Sequence, residues 1–214
     1  MNFILLLLIL PPILLMTVLV DEKTRLRLIF MAFGLFAAYL SGQINSVFCS
    51  LGGLSPFDLS IHVSPVIEEF IKAFPLVLFL FAARPDRRSV LEYAVWTGLG
   101  FAFFENAWAF SQSVSWFPTW QDVTFALSRG FGASLVHSFC TLILVYGISV
   151  CMKRRKLLVT GSLAVFSLVC MIHSTFNVLI QSRYAAAPFF FTLGTYAALA
   201  AIFRKKKKQT KKIE

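Results

Sequence analysis

The sequence predicts an all-α integral membrane protein, a bundle of about seven transmembrane helices. Three observations lead to this fold class: the composition, the length of the apolar runs and the placement of the charges. The chain has 214 residues, of which 58% are hydrophobic and 14% are charged, and 24 of them are phenylalanine. A soluble domain of this length needs a larger polar surface to cover its core, so lipid is the natural solvent for this chain.

The apolar runs are long enough to cross a bilayer core of about 30 Å, which takes about 20 helical residues. The predicted spans are residues 3–20, 26–46, 64–83, 89–112, 125–151, 157–182 and 186–203. The first run starts without a basic stretch or a small-residue cleavage site, which favours a retained span over a cleaved signal peptide. We expect residues 1–203 to form a single polytopic membrane domain, and residues 204–214 to form a basic tail.

The basic residues predict how the helices are oriented. All Lys and Arg except Lys72, Arg129 and Arg183 fall in four clusters, at residues 23–27, 84–88, 153–156 and 204–212. With seven spans, these clusters lie on one side of the membrane, and basic loops mark the cytoplasmic side. The N-terminus is therefore predicted outside and the C-terminus in the cytoplasm.

The net charge of +10 would suggest nucleic acid as the partner of a soluble protein. Here the charges border apolar runs, so we predict no nucleic-acid partner, and we expect the tail 204–214 to contact anionic lipid. The four cysteines show no paired spacing and predict neither a disulfide framework nor a zinc motif. The sequence also shows no internal repeat of the kind that many transporters carry.

Ionisable residues inside spans cost several kcal/mol and are rarely incidental. Four predicted helices carry them, and helical spacing places the members of each set on one face. The candidates are Glu68, Glu69 and Lys72 in the third span, Glu105 and Asn106 in the fourth, Arg129 and His137 in the fifth, and His173 and Asn177 in the sixth.

The depth of these residues indicates a single site. At about 1.5 Å per residue, Glu68 lies about 6 Å from the outer end of its span and His137 about 18 Å. Glu105 and Asn177, on helices that run outward, lie within about 10 Å of the outer end. Because helices of opposite direction agree on depth, we predict one polar site in the outer half of the membrane.

Carboxylates beside imidazoles suit the activation of water, with one glutamate as general base and a second acidic group or a histidine as proton donor. Asn106 or Asn177 is placed to hydrogen-bond a developing oxyanion. The same residues suit a divalent metal such as zinc, held by His137, His173 and a glutamate (Glu68, Glu69 or Glu105); the sequence alone makes no cofactor certain. The structural alternative is a Glu68–Lys72 ion pair and interhelical hydrogen bonds that only fix the packing.

Four motifs, one in each successive helix, carry a resemblance to a known family. They are Glu-Glu-x-x-Lys at 68–72, Phe-x-x-x-Glu-Asn at 101–106, an arginine followed by His137, and His-x-x-x-Asn at 173–177. Their combination and order resemble the PrsW family of intramembrane proteases, over roughly residues 64–182. The family is itself similar to the clan of CAAX prenyl proteases and bacteriocin-processing proteins, whose first motif is typically Glu-Glu-x-x-x-Arg. In this chain the basic residue is Lys72, at the third position after the second glutamate, which favours the PrsW family over these relatives.

The resemblance implies hydrolysis of a peptide bond in or near the membrane, on a single-span membrane protein. The role best known for the family is site-1 cleavage of an anti-sigma factor, in a bacterial plasma membrane. The resemblance implies Glu68, Glu69, Glu105, His137 and His173 as catalytic residues, supported by Lys72, Asn106, Arg129 and Asn177. A glutamic-type and a metal-dependent mechanism both remain open. The alternatives are a non-proteolytic scaffold and a small proton-coupled transporter.

Overall fold

The computed structural model describes residues 11, 13–14, 16–113, 120–182 and 186–210. Within these ranges it leaves the side chains of 87, 113, 121–128, 155, 186, 199 and 202–210 undescribed. The predicted first span, 3–20, lies mostly outside the described residues, as do Arg183 and the end of the tail. The described part of the chain is all-α, as the composition predicts, and contains no strand.

The long helices follow the predicted spans closely. They are α1 (Glu22–Gly52), α2 (Ser64–Ala83), α3 (Arg87–Ser113), α4 (Trp120–Met152), α5 (Leu158–Ile180) and α6 (Ala186–Thr210). The segment 47–63 is expected from the sequence to be a loop, but this expectation is wrong. Helix α1 continues to Gly52, and a helical turn Pro56–Asp58 leads through a π-helical stretch, Leu59–Val63, into α2.

Local sequence fixes the ends of these helices. Asp21 caps α1, since its carboxylate accepts a hydrogen bond from the backbone amide of Thr24. The helix ends where Gly53 adopts a left-handed backbone with φ of 59°, a conformation that suits glycine. Helix α2 has Pro65 in its first turn, where the missing N–H costs nothing, and it ends at Arg84. Gly53 and Arg84 thus mark the two connections that flank α2, the helix that carries Glu68 and Glu69.

Close approach through glycine holds α1, α3 and α4 together. A Cβ built on Gly34 of α1 would overlap the carbonyl oxygen of Thr97, and one on Gly100 of α3 would overlap that of Met31. One on Gly98 would lie 2.5 Å from the Cα of Ser138 on α4. Only glycine permits these backbone-to-backbone contacts, so α3 lies firmly between α1 and α4.

The helices turn apolar side chains outward as well as inward. On α2, the exposed residues Phe70, Phe74, Leu78 and Phe81 recur every three or four positions and form one face. Among the described residues, Glu22–Gly52, Arg129–Met152 and Leu158–Ile180 are long and apolar enough to cross a membrane by length and composition. Helix α2 carries three ionisable residues, and α3 is a continuous helix that carries Glu105 and Asn106 within its apolar stretch. The spanning role of these two helices stays a prediction, as does the orientation of the termini.

Candidate active site

Ionisable side chains from α2, α3, α4 and α5 meet in one connected network. In the order of their contacts, its members are Arg129, Glu105, His137, Lys72, Glu69, His173 and Glu68. Each of these residues is a candidate from the sequence, and their common depth predicts a single site. The structure brings all seven together, whereas their roles in catalysis remain a prediction.

Lys72 lies at the centre of the network and is fully buried. Its Nζ lies 2.6 Å from Oε1 of Glu69, which is equally buried, and 2.9 Å from Nδ1 of His137. The ammonium also lies 4.5 Å from the centroid of the Phe101 ring, a favourable cation–π position. Because an ammonium has donors only, Nδ1 of His137 must accept the hydrogen bond.

This contact determines the tautomer of His137. With Nδ1 as acceptor, the ring proton resides on Nε2, which lies 2.8 Å from Oε2 of Glu105 and donates to it. The other oxygen of Glu105 accepts a hydrogen bond of 2.8 Å from the guanidinium of Arg129. Glu105 is thus held by two donors, one from an imidazole and one from a guanidinium, and both come from α4.

His173 is oriented by Glu69 in the same way. Its Nδ1 lies 2.8 Å from Oε1 of Glu69, and since that carboxylate already accepts from Lys72, the histidine is the donor. The proton therefore resides on Nδ1, and Nε2 keeps its lone pair. Nε2 lies 3.6 Å from Oε2 of Glu68, a buried oxygen without a hydrogen-bond partner.

The two adjacent glutamates consequently have different surroundings. Glu69 is bound by Lys72 and His173 through one of its oxygens. Glu68 has neither partner within hydrogen-bonding distance and lines a cavity. The four-residue spacing suggests an ion pair between Glu68 and Lys72, but the structure pairs Lys72 with Glu69, three residues away.

The cavity beside Glu68 has a volume of about 590 Å³. Glu105 and Arg129 line it on the side of α3 and α4, and Asn177 lines it on α5. Further parts of the wall come from the segment that contains Pro56 and Ser60 and from α1, where Asn45 has a buried oxygen without a partner. A peptide segment and water both fit a space of this size, at the edge of the ionisable network.

The two asparagine candidates lie in different places. Asn177 lines this cavity, and its amide donates to the backbone carbonyl of Ser60 at 2.8 Å. Asn106 lines a separate cavity between α3 and α4, and its Oδ1 is buried without a partner. Only Asn177 therefore shares a cavity with Glu68.

The sequence does not point to the carbonyls of the π-helical stretch. Ser60 and Ile61 accept hydrogen bonds from Asn177 and Ser174 on α5, at 2.8 and 2.7 Å. These carbonyls can accept from α5 because Pro65, five residues after Ser60 and four after Ile61, has no backbone N–H to donate to them. The π-helical pattern itself has no signal in the sequence, since a run such as Leu-Ser-Ile-His-Val is also compatible with an ordinary loop.

The donor set can be tested for a metal ion. Glu68, His137 and His173 offer ligand atoms that lie within 4.8 Å of one another. Two ligands of one tetrahedral zinc lie about 3.4 Å apart, given bonds of about 2.0–2.1 Å; Nε2 of His173 and Oε2 of Glu68 are 3.6 Å apart. A histidine held by a carboxylate at its other nitrogen is typical of metal ligands, and Glu69 holds His173 in this way.

The charge of the site is consistent with a cation as well. If ionised, the three carboxylates outnumber the cations Lys72 and Arg129 by one, with the imidazoles neutral. His137 fits less directly, because Lys72 and Glu105 occupy both of its nitrogens. Glu68 and His173 therefore fit a divalent metal, with His137 as their neighbour.

The fold and the site define a helical membrane protein whose apolar helices enclose a hydrolase-like set of glutamates and histidines. A family model described as the PrsW family intramembrane metalloprotease matches residues 22–203. The chain belongs to this family, as the four sequence motifs predict. No curated protein and no solved structure matches the chain significantly.

Proposed function

We propose that this protein hydrolyses a peptide bond in a single-span membrane protein, at or near the extracytoplasmic part of the substrate. Membership of an intramembrane protease family supports the reaction class. The observation that carries the proposal is the pair formed by Glu68 and His173. An unpartnered carboxylate oxygen lies beside an imidazole nitrogen that keeps its lone pair, at the wall of a cavity.

In this proposal Glu68 is the general base. A water in the cavity attacks the carbonyl carbon of the scissile bond, and its proton passes to the carboxylate of Glu68. When the carbon–nitrogen bond breaks, the leaving amine takes this proton from Glu68, either directly or through Nε2 of His173, which first accepts it from Glu68. The products are a carboxylic acid and an amine, which exchange the second proton of the water to become carboxylate and ammonium, and the enzyme returns to its initial protonation.

The other network residues position these groups. Lys72 and Glu69 hold His173 in the tautomer that leaves Nε2 unprotonated, so they act through His173 on the reaction. Arg129 lines the same cavity and carries a positive charge, which stabilises an oxyanion that develops on the carbonyl. Asn177 offers a second N–H for this purpose, because its amide nitrogen has two hydrogens and Ser60 takes one.

A divalent metal, if held by Glu68 and His173, would supply Lewis acidity at the carbonyl and to water. In its presence Glu69 would still orient His173 and Arg129 would still face the cavity, whereas Glu68 and His173 would bind the metal instead of carrying the proton. Cleavage after treatment with a chelator distinguishes a glutamic from a metal-dependent enzyme.

The proposed location is a bacterial plasma membrane, with the N-terminus outside and the tail in the cytoplasm. The positions of the basic clusters support this orientation. The site then opens in the outer half of the bilayer, where an anti-sigma factor or another single-span protein presents the end of its span. The basic tail would contact anionic lipid.

The test is the cleavage of single-span substrates, anti-sigma factors among them, by purified protein in vesicles. Glu68→Gln and His173→Ala are compared with wild type, and Glu92→Gln serves as a matched control. Glu92 pairs with Arg27 and Arg88, at 2.8 and 2.9 Å, outside the network. We expect cleavage by wild type and by the control, and loss of at least 100-fold in both site variants.

Mass spectrometry of the products fixes the position of the cut. A cut at the cytoplasmic end of the substrate span would contradict the proposed depth. Full cleavage by well-folded Glu68→Gln and His173→Ala would make the network structural and point to a contaminating protease. No cleavage by any form, wild type included, would favour a scaffold. A proton flux coupled to solute uptake, with no cleavage of any substrate, would favour the transporter.

A further inference from the structure

The segment between α1 and α2 forms part of the wall of the catalytic cavity. We call residues 54–63 the strap; they comprise the helical turn and the π-helical stretch that lead from α1 into α2. Pro56, Leu59 and Ser60 of the strap line the cavity, as does Glu68. The strap is therefore next to the proposed general base, although it contains none of the motifs that identify the site.

The strap bridges the two helices that carry the proposed catalytic pair. It runs directly into α2, where Ser64 also lines the cavity, about one turn before Glu68. On its other side it is bound to α5, because the hydroxyl of Ser174, the neighbour of His173, donates to the carbonyl of Ile61 at 2.7 Å. The strap thus lies across the seam between α2 and α5, beside the pair.

The attachment of the strap continues along α5. The amide of Asn177 donates to the carbonyl of Ser60 at 2.8 Å, and that of Gln181 donates to the hydroxyl of Ser60 at 2.9 Å. Because Pro65 has no N–H to offer to the carbonyls of Ser60 and Ile61, these carbonyls are paired by α5 while the strap is attached, and by water once it is released. Release therefore leaves no backbone group unsatisfied.

Apart from these bonds to α5, little burial holds the strap in place. In the described structure, none of the residues 56–63 is buried. At the junction with α1, Gly53 has the left-handed backbone noted above, and glycine changes its backbone angles at a lower steric cost than other residues. Segments with few buried contacts and exposed hydrogen bonds open at a low cost in free energy, so the strap can leave α5 without disturbing the bundle.

The facing atoms of the catalytic pair are covered in this conformation. Oε2 of Glu68 has less than 1 Å² of accessible surface, and His173 is only 2% exposed. Neither water nor a peptide carbonyl reaches groups with so little accessible surface, although the cavity begins beside them. Access to both groups at once therefore requires that an element around them moves.

We propose that the strap is a gate over the catalytic pair, which swings away from α5 about Gly53 and admits the scissile segment of the substrate to Glu68 and His173. This inference rests on the proposed function, because the pair needs access only if it is catalytic. It gives Asn177 a further role, since its bond to Ser60 must break on opening. The released amide then offers an additional hydrogen to the developing oxyanion.

The test tethers the strap to α5 in the full chain, reconstituted in vesicles. Cys49→Ser first removes the native cysteine that is not buried. Ser60→Cys and Gln181→Cys, whose native side chains lie 2.9 Å apart, are then joined by a short bifunctional methanethiosulfonate that a reductant removes again. The matched control, Phe57→Cys/Ser60→Cys, places both thiols within the strap, where the hydroxyl of Ser60 donates to the carbonyl of Phe57. Mass spectrometry measures the bridged fraction.

Each cleavage rate is compared with that of the same protein after reduction. We expect the bridge between the strap and α5 to lower the rate by about tenfold or more, because activity scales with the fraction of molecules that can open. The bridge within the strap should leave the rate largely unchanged. Cleavage at the control rate by the protein tethered to α5 would overturn the inference. Equal inhibition by the two bridges would also overturn it, since the reagent would then act by filling the cavity.

Hydrogen exchange follows the strap without any cleavage. Ser174→Ala removes one attachment of the strap. Thr175→Ala is its control, because the hydroxyl of Thr175 is exposed and donates within α5, to the carbonyl of Met171. We expect Ser174→Ala to speed the exchange of backbone amides in residues 54–63 by about threefold or more, and Thr175→Ala to leave it unchanged. Exchange in the strap that is as slow as in α1 and insensitive to Ser174→Ala would overturn the inference.

The failure of this inference can be distinguished from that of the proposed function. Cleavage by wild type with a strap that stays closed in both tests would remove the gate and leave the protease. A strap that opens in the exchange experiment, with no cleavage of any substrate by wild type, would support the gate and remove the protease. The strap would then control access to the cavity alone.

Discussion

Lys72 on α2 donates a hydrogen bond to Nδ1 of His137 on α4, which is 65 positions away in the sequence. The same ammonium binds the carboxylate of Glu69 at 2.6 Å. One buried cation thus fixes the protonated nitrogen of His137 directly and that of His173 through Glu69. The consequences of this arrangement can be measured.

Lys72→Met should be strongly destabilising. The substitution leaves the buried carboxylate of Glu69 without its counter-charge, which typically costs about 3–5 kcal/mol. Unfolding in detergent, followed by circular dichroism, measures the change. The double variant Lys72→Met/Glu69→Gln removes both charges and should recover at least half of the loss. A single variant as stable as wild type would show that Glu69 carries no charge when Lys72 is absent.

Glu68 and Glu69 should respond differently to the same substitution. Glu68→Gln should lower the cleavage rate by about 10²–10⁴-fold and change the free energy of unfolding by less than Glu69→Gln does, because Glu68 meets His173 only at 3.6 Å, outside hydrogen-bonding distance. Glu69→Gln should lower both cleavage and stability, since it removes the partner of Lys72. Cleavage assays and unfolding curves on the same preparations separate the two effects. The reverse pattern would make Glu69 the base.

Zinc should stabilise the protein if Glu68 and His173 bind it. At a free concentration of 100 times the Kd, a single site adds about 2.7 kcal/mol to the free energy of unfolding. Thermal unfolding with and without zinc, after treatment with a chelator, measures this gain. It should disappear in His173→Ala and persist in Glu92→Gln. Equal gains in both variants would place the ion elsewhere, and cleavage that survives the chelator would favour a glutamic mechanism.

Gly98→Ala should disturb the site from a distance. The added methyl group would meet the backbone of Ser138, next to His137, so α3 and α4 must separate. Overpacking of this kind costs about 1–3 kcal/mol, and separation weakens the contact between Glu105 and His137. Both the free energy of unfolding and the cleavage rate should therefore decrease. Gly194→Ala, in open space, should stabilise its helix by up to about 1 kcal/mol; a Gly98→Ala variant that behaves alike would refute the close contact.

The predicted orientation can be checked by cysteine labelling. Gln112→Cys near the end of α3 and Arg154→Cys between α4 and α5 are both exposed positions, and Cys49→Ser removes the one native cysteine that is not buried. In intact cells, an impermeant maleimide should label position 112 and spare position 154 until the membrane is permeabilised. The opposite pattern would place the active site in the cytoplasmic half of the membrane.

Much of the fold was accessible from the sequence because hydrophobic length and charge are local properties. The runs 26–46, 64–83 and 157–182 correspond to helices α1, α2 and α5. The members of the network could be identified because ionisable residues inside a membrane span are energetically unfavourable and therefore rarely incidental. The pairing inside the network was not accessible. Lys72 can reach either Glu68 or Glu69 on its own helix, and the choice depends on contacts with His137 and His173 from other helices, which spacing does not determine.

The wall of the catalytic cavity was also beyond the sequence. The π-helical stretch that presents the carbonyls of Ser60 and Ile61 to α5 arises from tertiary contact, and no propensity indicates it. Asn106 shows the converse limit. It directly follows Glu105, but neighbours on a helix point about 100° apart, and the structure places the two side chains in different cavities.

The glycine contacts also have a mechanical consequence. Helices α1, α3 and α4 touch backbone to backbone at Gly34, Gly98 and Gly100, where no side chain can rotate to absorb a shift, so these three helices form a stiff frame. Helix α5 meets α4 through side chains, such as Val165 against Gly147, and rotamer changes can accommodate its displacement. His173 is on α5, whereas Glu105 and His137 belong to the frame. A tilt of α5 alone would therefore separate His173 from His137 and also from Glu68 on α2, so the proposed catalytic pair is assembled only while α5 is in place.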